Sequence, residues 1–265
     1  MVETPDLGQI AKQARERIEI LKLFGWGVPL SRSALSSRSL PPIASGAAAS
    51  PRRTSEGSPA AEPSLTGLPE RLGREALLSP IREAVAACDQ CVLCRSRTQA
   101  VFGVGDPTTR LMLVGEAPGS EEDRQGEPFV GAAGQLLNDI IRAMGLQRPE
   151  VYIANVIKCR PPMNRTPEPG EIASCRVYLE RQIEIVRPEV ILALGAVSAR
   201  ALLGTEESIG RLRTRFHEYK GIPVMPTYHP AYLLRNPGEK RKVWQDVQLV
   251  MARLGLKRPA ESPPP

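Results

Sequence analysis

Hydrophobic positions in the second half of the chain fall into short runs. Those at 110–115 (RLMLVG), 151–157 (VYIANVI), 189–194 (EVILAL) and 222–227 (IPVMPT) are bounded by Gly or Pro, and each reads as a buried strand. Between them, 134–145, 168–186 and 196–203 carry apolar residues at helical spacing, and 239–254 closes the pattern with another helix. Strands alternating with helices predict an α/β fold, a parallel sheet with helices on both faces. Such sheets gather ligands beyond the carboxyl ends of their strands. The segments that follow those ends are GEAPGSEEDRQGEPFVG, KCRPPMNRTP, LGAVSARALLG and YHPAYLLRNP.

The first quarter of the chain reads differently. Leu7, Ile10, Ala14, Ile18 and Leu21 repeat at three- and four-residue steps, which predicts an amphipathic helix within 1–28. Its apolar face packs on the chain's own body, or else on a protein partner or a membrane surface. From 31 to 67, 25 of 37 residues are Ser, Pro, Ala or Gly, too few apolar groups to offset the ordering entropy of about 1–2 kcal/mol per residue. We therefore expect a disordered linker over 29–76, a folded domain over 77–257 and a disordered tail over 258–265.

The chain has 265 residues, no apolar stretch near 18 residues, and acidic residues where a signal peptide needs basic ones. These features predict a soluble, cytoplasmic chain without membrane contact, and a monomer is expected. The net charge of +6 is compatible with nucleic acid but common among other proteins. Its distribution is more telling: residues 211–260 carry eleven Lys/Arg against three Asp/Glu, whereas 116–127 carry five acids against one Arg.

Five cysteines without an export signal argue against a disulfide framework. Cys88 and Cys91 are spaced C-x2-C, and Cys159 and Cys175 are separated by fifteen residues across a loop and a helix start. Four thiolates suit zinc or an iron-sulfur cluster, and spacing does not choose between them. Cys94 extends the count, since Cys91 and Cys94 also form C-x2-C. Among the loops, Glu116 serves equally as a helix cap or a catalytic carboxylate, Phe129 as a core aromatic, and His229 as a structural histidine. Asn155, inside an apolar strand, needs a partner for its amide.

Taken together, Cys88-x2-Cys91, GEAPGSEED, GEPFVGAAGQLL, YIANVIKCRPPMNRTP, Cys175, LGAVSARALLG and HPAYLLRNP resemble the iron-sulfur uracil-DNA glycosylases, family four of that superfamily, over about 85–250. The resemblance implies a small domain with a central four-stranded parallel sheet flanked by helices, which flips uracil out of single- or double-stranded DNA and hydrolyses its glycosidic bond. It also implies a role for each residue. Phe129 would stack on the flipped base, Asn155 would read its O4 and N3–H edge, and Glu122 would crowd C5 against the thymine methyl. His229 would donate to O2, and Glu116 or Asn164 would hold the water. Leu233, with Leu234 as the competing choice, would fill the gap in the duplex, and Arg235 with Arg211, Arg213 and Arg215 would meet phosphates. Cys88, Cys91, Cys159 and Cys175 would bind a 4Fe-4S cluster, leaving Cys94 spare. KCRPPMNRTP is short and lacks the histidine of a branch that links covalently to DNA, and GEAPG keeps the Glu116 that another branch lacks, so hydrolytic turnover is expected.

Overall fold

A computed structural model describes residues 68–257. The expected helix at 1–28, all but the end of the linker at 29–76, and the tail at 258–265 lie outside the described residues. Helix α1 (Leu68–Ala86) opens the described part, so the expected boundary at residue 77 falls inside a helix. Leu78 and Val85 of α1 are buried in the core, and Arg74 donates to the carbonyl oxygens of Pro107, at 3.0 Å, and Val186. A guanidinium planted on two distant segments fixes the first turns to the domain. That anchor is an arginine, so hydrophobic patterning does not register it.

The other helices are α2 (Ser120–Gln125), α3 (Ala132–Ala143), α4 (Pro169–Val186), α5 (Ala196–Leu203), α6 (Ile209–Leu212), α7 (Pro230–Arg235) and α8 (Lys240–Leu254). The strands are β1 (Val104–Gly105), β2 (Leu111–Gly115), β3 (Tyr152–Asn155), β4 (Val190–Leu194), β5 (His217–Tyr219) and β6 (Ile222–Thr227). They form one sheet in the order β1-β3-β2-β4-β6-β5. The inner four run parallel, as expected, and β1 and β5 add antiparallel edges. Edges this short leave no alternation in a sequence.

Side chains along the inner strands alternate between two cores. Met112, Val114, Ala154, Ile191 and Ala193 join a cluster with Leu78 of α1, Leu179 and Ile183 of α4 and Leu202 of α5. Leu111, Leu113, Ile153, Leu192 and Met225 join the other with Leu137 and Ile141 of α3 and Val247 and Val250 of α8. Burial on both faces explains why these strands read as continuous apolar runs. The parallel strands end on one edge at Gly115, Asn155, Leu194 and Thr227, with Gly115 and Asn155 directly paired. Among the described residues, no helix is long and apolar enough to cross a membrane.

Candidate active site

The loop leaving β2 enters α2, whose Glu122 is the clamp of the site. Its carboxylate accepts backbone N–H groups from Gly119 at 3.1 Å and from Val130 and Gly131 at 2.9 Å each. This binds the GEAPG turn to the PFVG loop. Gly134 lies so close that a Cβ there would overlap the Phe129 carbonyl, and Arg148 donates to the Pro128 carbonyl and to Asn138 Oδ1 at 3.0 Å. Held from these sides, Phe129 keeps a left-handed backbone, φ 55°, which costs a non-glycine residue about 1–2 kcal/mol. Its ring is buried.

Gly115, at the end of β2, makes room for the meeting of two groups. A Cβ there would overlap Asn155 Oδ1 and stand 2.6 Å from Phe129 Cζ. Asn155 is 1% exposed, and its Oδ1 is a buried acceptor without a hydrogen-bond partner among the described residues. An unpaired buried acceptor costs on the order of 1–3 kcal/mol, a cost that a ligand donating an N–H to this oxygen would remove. The Asn155 backbone carbonyl is occupied: Lys158 Nζ donates to it at 2.8 Å and to Gln182 Oε1 at 2.6 Å. Lys158 is wholly buried, and burial brings its ammonium down to about 8, leaving it cationic at neutral pH.

His229 caps α7 and faces Phe129, with ring centroids 5.5 Å apart and planes inclined by 30°. Its Nδ1 accepts the Ala231 N–H at 3.1 Å, which assigns the proton to Nε2 and makes that nitrogen a donor. Burial, then the positive charge of Arg235, lowers the ring to about 4, so it is neutral at pH 7. Gly195, φ 97°, brings the end of β4 beneath it: a Cβ would stand 3.1 Å from His229 Cβ. Two residues upstream, Thr227 Oγ1 donates to buried Asp246 at 2.7 Å. The Glu116 carboxyl is raised by burial, and no hydrogen bond to it is formed among the described residues.

Other candidate residues are placed elsewhere. Leu233 is 1% exposed and packs into the core with Leu136 and Trp244, whereas Leu234 is 47% exposed. Of the two candidates for the wedge, only Leu234 faces outward, since adjacent positions on a helix face different ways. Arg213 pairs with Asp246 at 3.0 Å and lies over Tyr228, contacts that brace the fold. Arg211, Arg215 and Arg235 are exposed. Asn164 lies on an exposed turn with left-handed φ, and its Oδ1 accepts from Arg160 Nε at 2.8 Å. Glu122 gives its oxygens to backbone N–H groups and so holds the two loops together. Sequence reasoning missed Gly115, Arg148, Lys158 and Asp246. The sequence signal for Lys158 was a charge at the end of an apolar run.

The five cysteines, all free thiols, line one cavity together with Arg97, Lys158 and Tyr178. Arg97 Nη1 donates to Cys159 Sγ at 3.0 Å, and the Lys158 backbone N–H donates to Cys175 Sγ at 3.3 Å. Several thiol sulfurs lining one cavity are the donor set that an iron-sulfur cluster takes.

The family model of the uracil DNA glycosylase superfamily matches residues 102–248. A type-4 uracil-DNA glycosylase of Thermotoga maritima is 46% identical over 179 residues, covering 66% of this chain and 93% of the relative. Those of Sulfurisphaera tokodaii and Pyrobaculum aerophilum are 44% and 42% identical, each covering 65% of this chain and 83% and 92% of the relative.

Proposed function

The chain belongs to the uracil-DNA glycosylase superfamily, within its type-4 family, and from this premise we infer that it removes uracil from DNA by hydrolysing the bond between base and deoxyribose. The observation that carries the reading is the unpaired Oδ1 of Asn155 beside the Phe129 ring, with room made by Gly115. A base within a duplex must be extruded to be reached. In the pocket it stacks on Phe129, and Asn155 accepts its N3–H and donates to O4. Cytosine presents the reverse pair, leaving a buried amide unmatched and the base rejected.

As the C1′–N1 bond breaks, its electron pair moves onto uracil and the sugar becomes cationic. Neutral His229 donates from Nε2 to O2 as charge develops there, a contribution on the order of 100- to 1,000-fold in rate. Ionised Glu116 holds water against C1′ and accepts its proton as the new C1′–O bond forms. Exposed Leu234 enters the gap in the stack, and Arg235 meets phosphate, which adds affinity but no sequence reading. Cys88, Cys91, Cys159 and Cys175 would hold a 4Fe-4S cluster, which when bound supplies a four-point brace between residues 88–91, 159 and 175.

The test is incubation of the purified chain with oligonucleotides carrying one uracil, thymine or cytosine, then alkaline cleavage. Cleavage only at uracil is expected. Uncleaved uracil strands, with a folded and iron-loaded protein, would overturn the reading.

A further inference from the structure

One buried cation joins the uracil-reading strand to the cysteine cavity. The Nζ of Lys158 donates to the Asn155 carbonyl and to Gln182 Oε1, and its backbone N–H donates to Cys175 Sγ. Among the described residues, no Asp or Glu forms an ion pair with it. A buried ammonium surrounded by neutral acceptors alone costs several kcal/mol, so an opposing charge is expected nearby. The sulfurs fit that need. Arg97 already donates to Cys159 Sγ at 3.0 Å from the same cavity, so two basic residues line it. Only Lys158 also holds the strand that carries Asn155.

We propose that Lys158 is a positioning residue that couples the charge of the cysteine-bound cluster to the setting of the Asn155 amide, and thereby to uracil affinity. The proposal rests on the cysteine cavity being a 4Fe-4S site. Lys158 pins the Asn155 carbonyl with its side chain and holds Cys175 Sγ with its backbone N–H, so a change at the sulfurs is transmitted through this one residue to the residue that reads the base. Such coupling is reciprocal: cluster charge changes uracil binding, and uracil binding changes the cluster's reduction potential.

The test uses the full, cluster-loaded chain with free uracil as the probe. The affinity of uracil is measured with the cluster oxidised and after anaerobic reduction with dithionite, and the midpoint potential is measured with and without saturating uracil. A change of about fivefold or more in Kd between the two states is expected, with a matching shift in potential. In Lys158→Met the potential should fall, because a cation favouring the added electron is gone, and the uracil-dependent shift should vanish. Equal Kd values in both states of the unmodified chain, or an unchanged uracil-dependent shift in Lys158→Met, would overturn the proposal. If Lys158→Met does not fold, the comparison of oxidised and reduced unmodified chain decides alone. An unmodified chain that excises uracil but binds no iron overturns the cluster reading and this proposal with it, whereas one that binds iron without excising uracil overturns the function reading.

Discussion

The Asn155 amide oxygen and the Phe129 ring meet over Gly115, at a point that a single methyl group would fill. The pocket therefore depends on an absent side chain. Gly115→Ala should push ring and amide apart while the fold persists, because the added carbon lies at the pocket edge. A misplacement of this kind costs on the order of 100-fold in excision rate. Single-turnover excision, alongside a thermal melt, checks this, and a rate near that of the unmodified chain would show that the two groups do not act on one ligand.

The pH dependence should carry the mark of Glu116. Its carboxyl is raised by burial and must be ionised to hold water, so the rate should fall as pH drops through that raised value, earlier than for an ordinary carboxylate. His229 acts as a neutral donor down to about 4, so no step should appear near the usual histidine value of about 6.5. Glu116→Gln should lower the neutral rate on the order of 100-fold and flatten the acid limb. A step near the usual histidine value that disappears in His229→Gln would reverse the assignment.

Leu233 and Leu234 should separate stability from DNA handling. Leu233→Ala opens a buried cavity and should cost about 2–5 kcal/mol in denaturant unfolding. Leu234→Ala should leave stability unchanged and slow excision from duplex more than from single strands, since only the duplex closes behind a flipped base. Equal losses on both substrates would reject Leu234 as the wedge.

The cysteines should divide four to one. Cys94→Ser should keep iron content and visible absorbance, while Cys159→Ser should lose both and lower the melting temperature. Iron loss from Cys94→Ser alone would place Cys94 among the ligands.

Much of this was legible in the sequence, and the failures have physical causes. The inner strands were visible because both faces are buried, whereas β1 and β5 are too short to alternate. The loops carrying Glu116, Phe129, Asn155 and His229 could be located because a parallel sheet gathers its carboxyl ends. The orientation of Leu233 could not be read, because α7 has only six residues and apolar groups at both choices. Arg213 resembled a solvated charge, since its partner Asp246 lies 33 residues away and only folding brings them together. The start of α1 escaped notice because Arg74, a charged residue, anchors it.

The central claim is that uracil is recognised by the unpaired amide of Asn155. Its most direct measurement is single-turnover uracil excision by the unmodified chain and by Asn155→Ala, on single strands so that flipping does not intervene, with iron content and melting temperature matched. The account predicts rapid alkali-labile cleavage at uracil by the unmodified chain and a loss on the order of 100-fold or more in the variant. Excision by Asn155→Ala within a few-fold of the unmodified rate would contradict it.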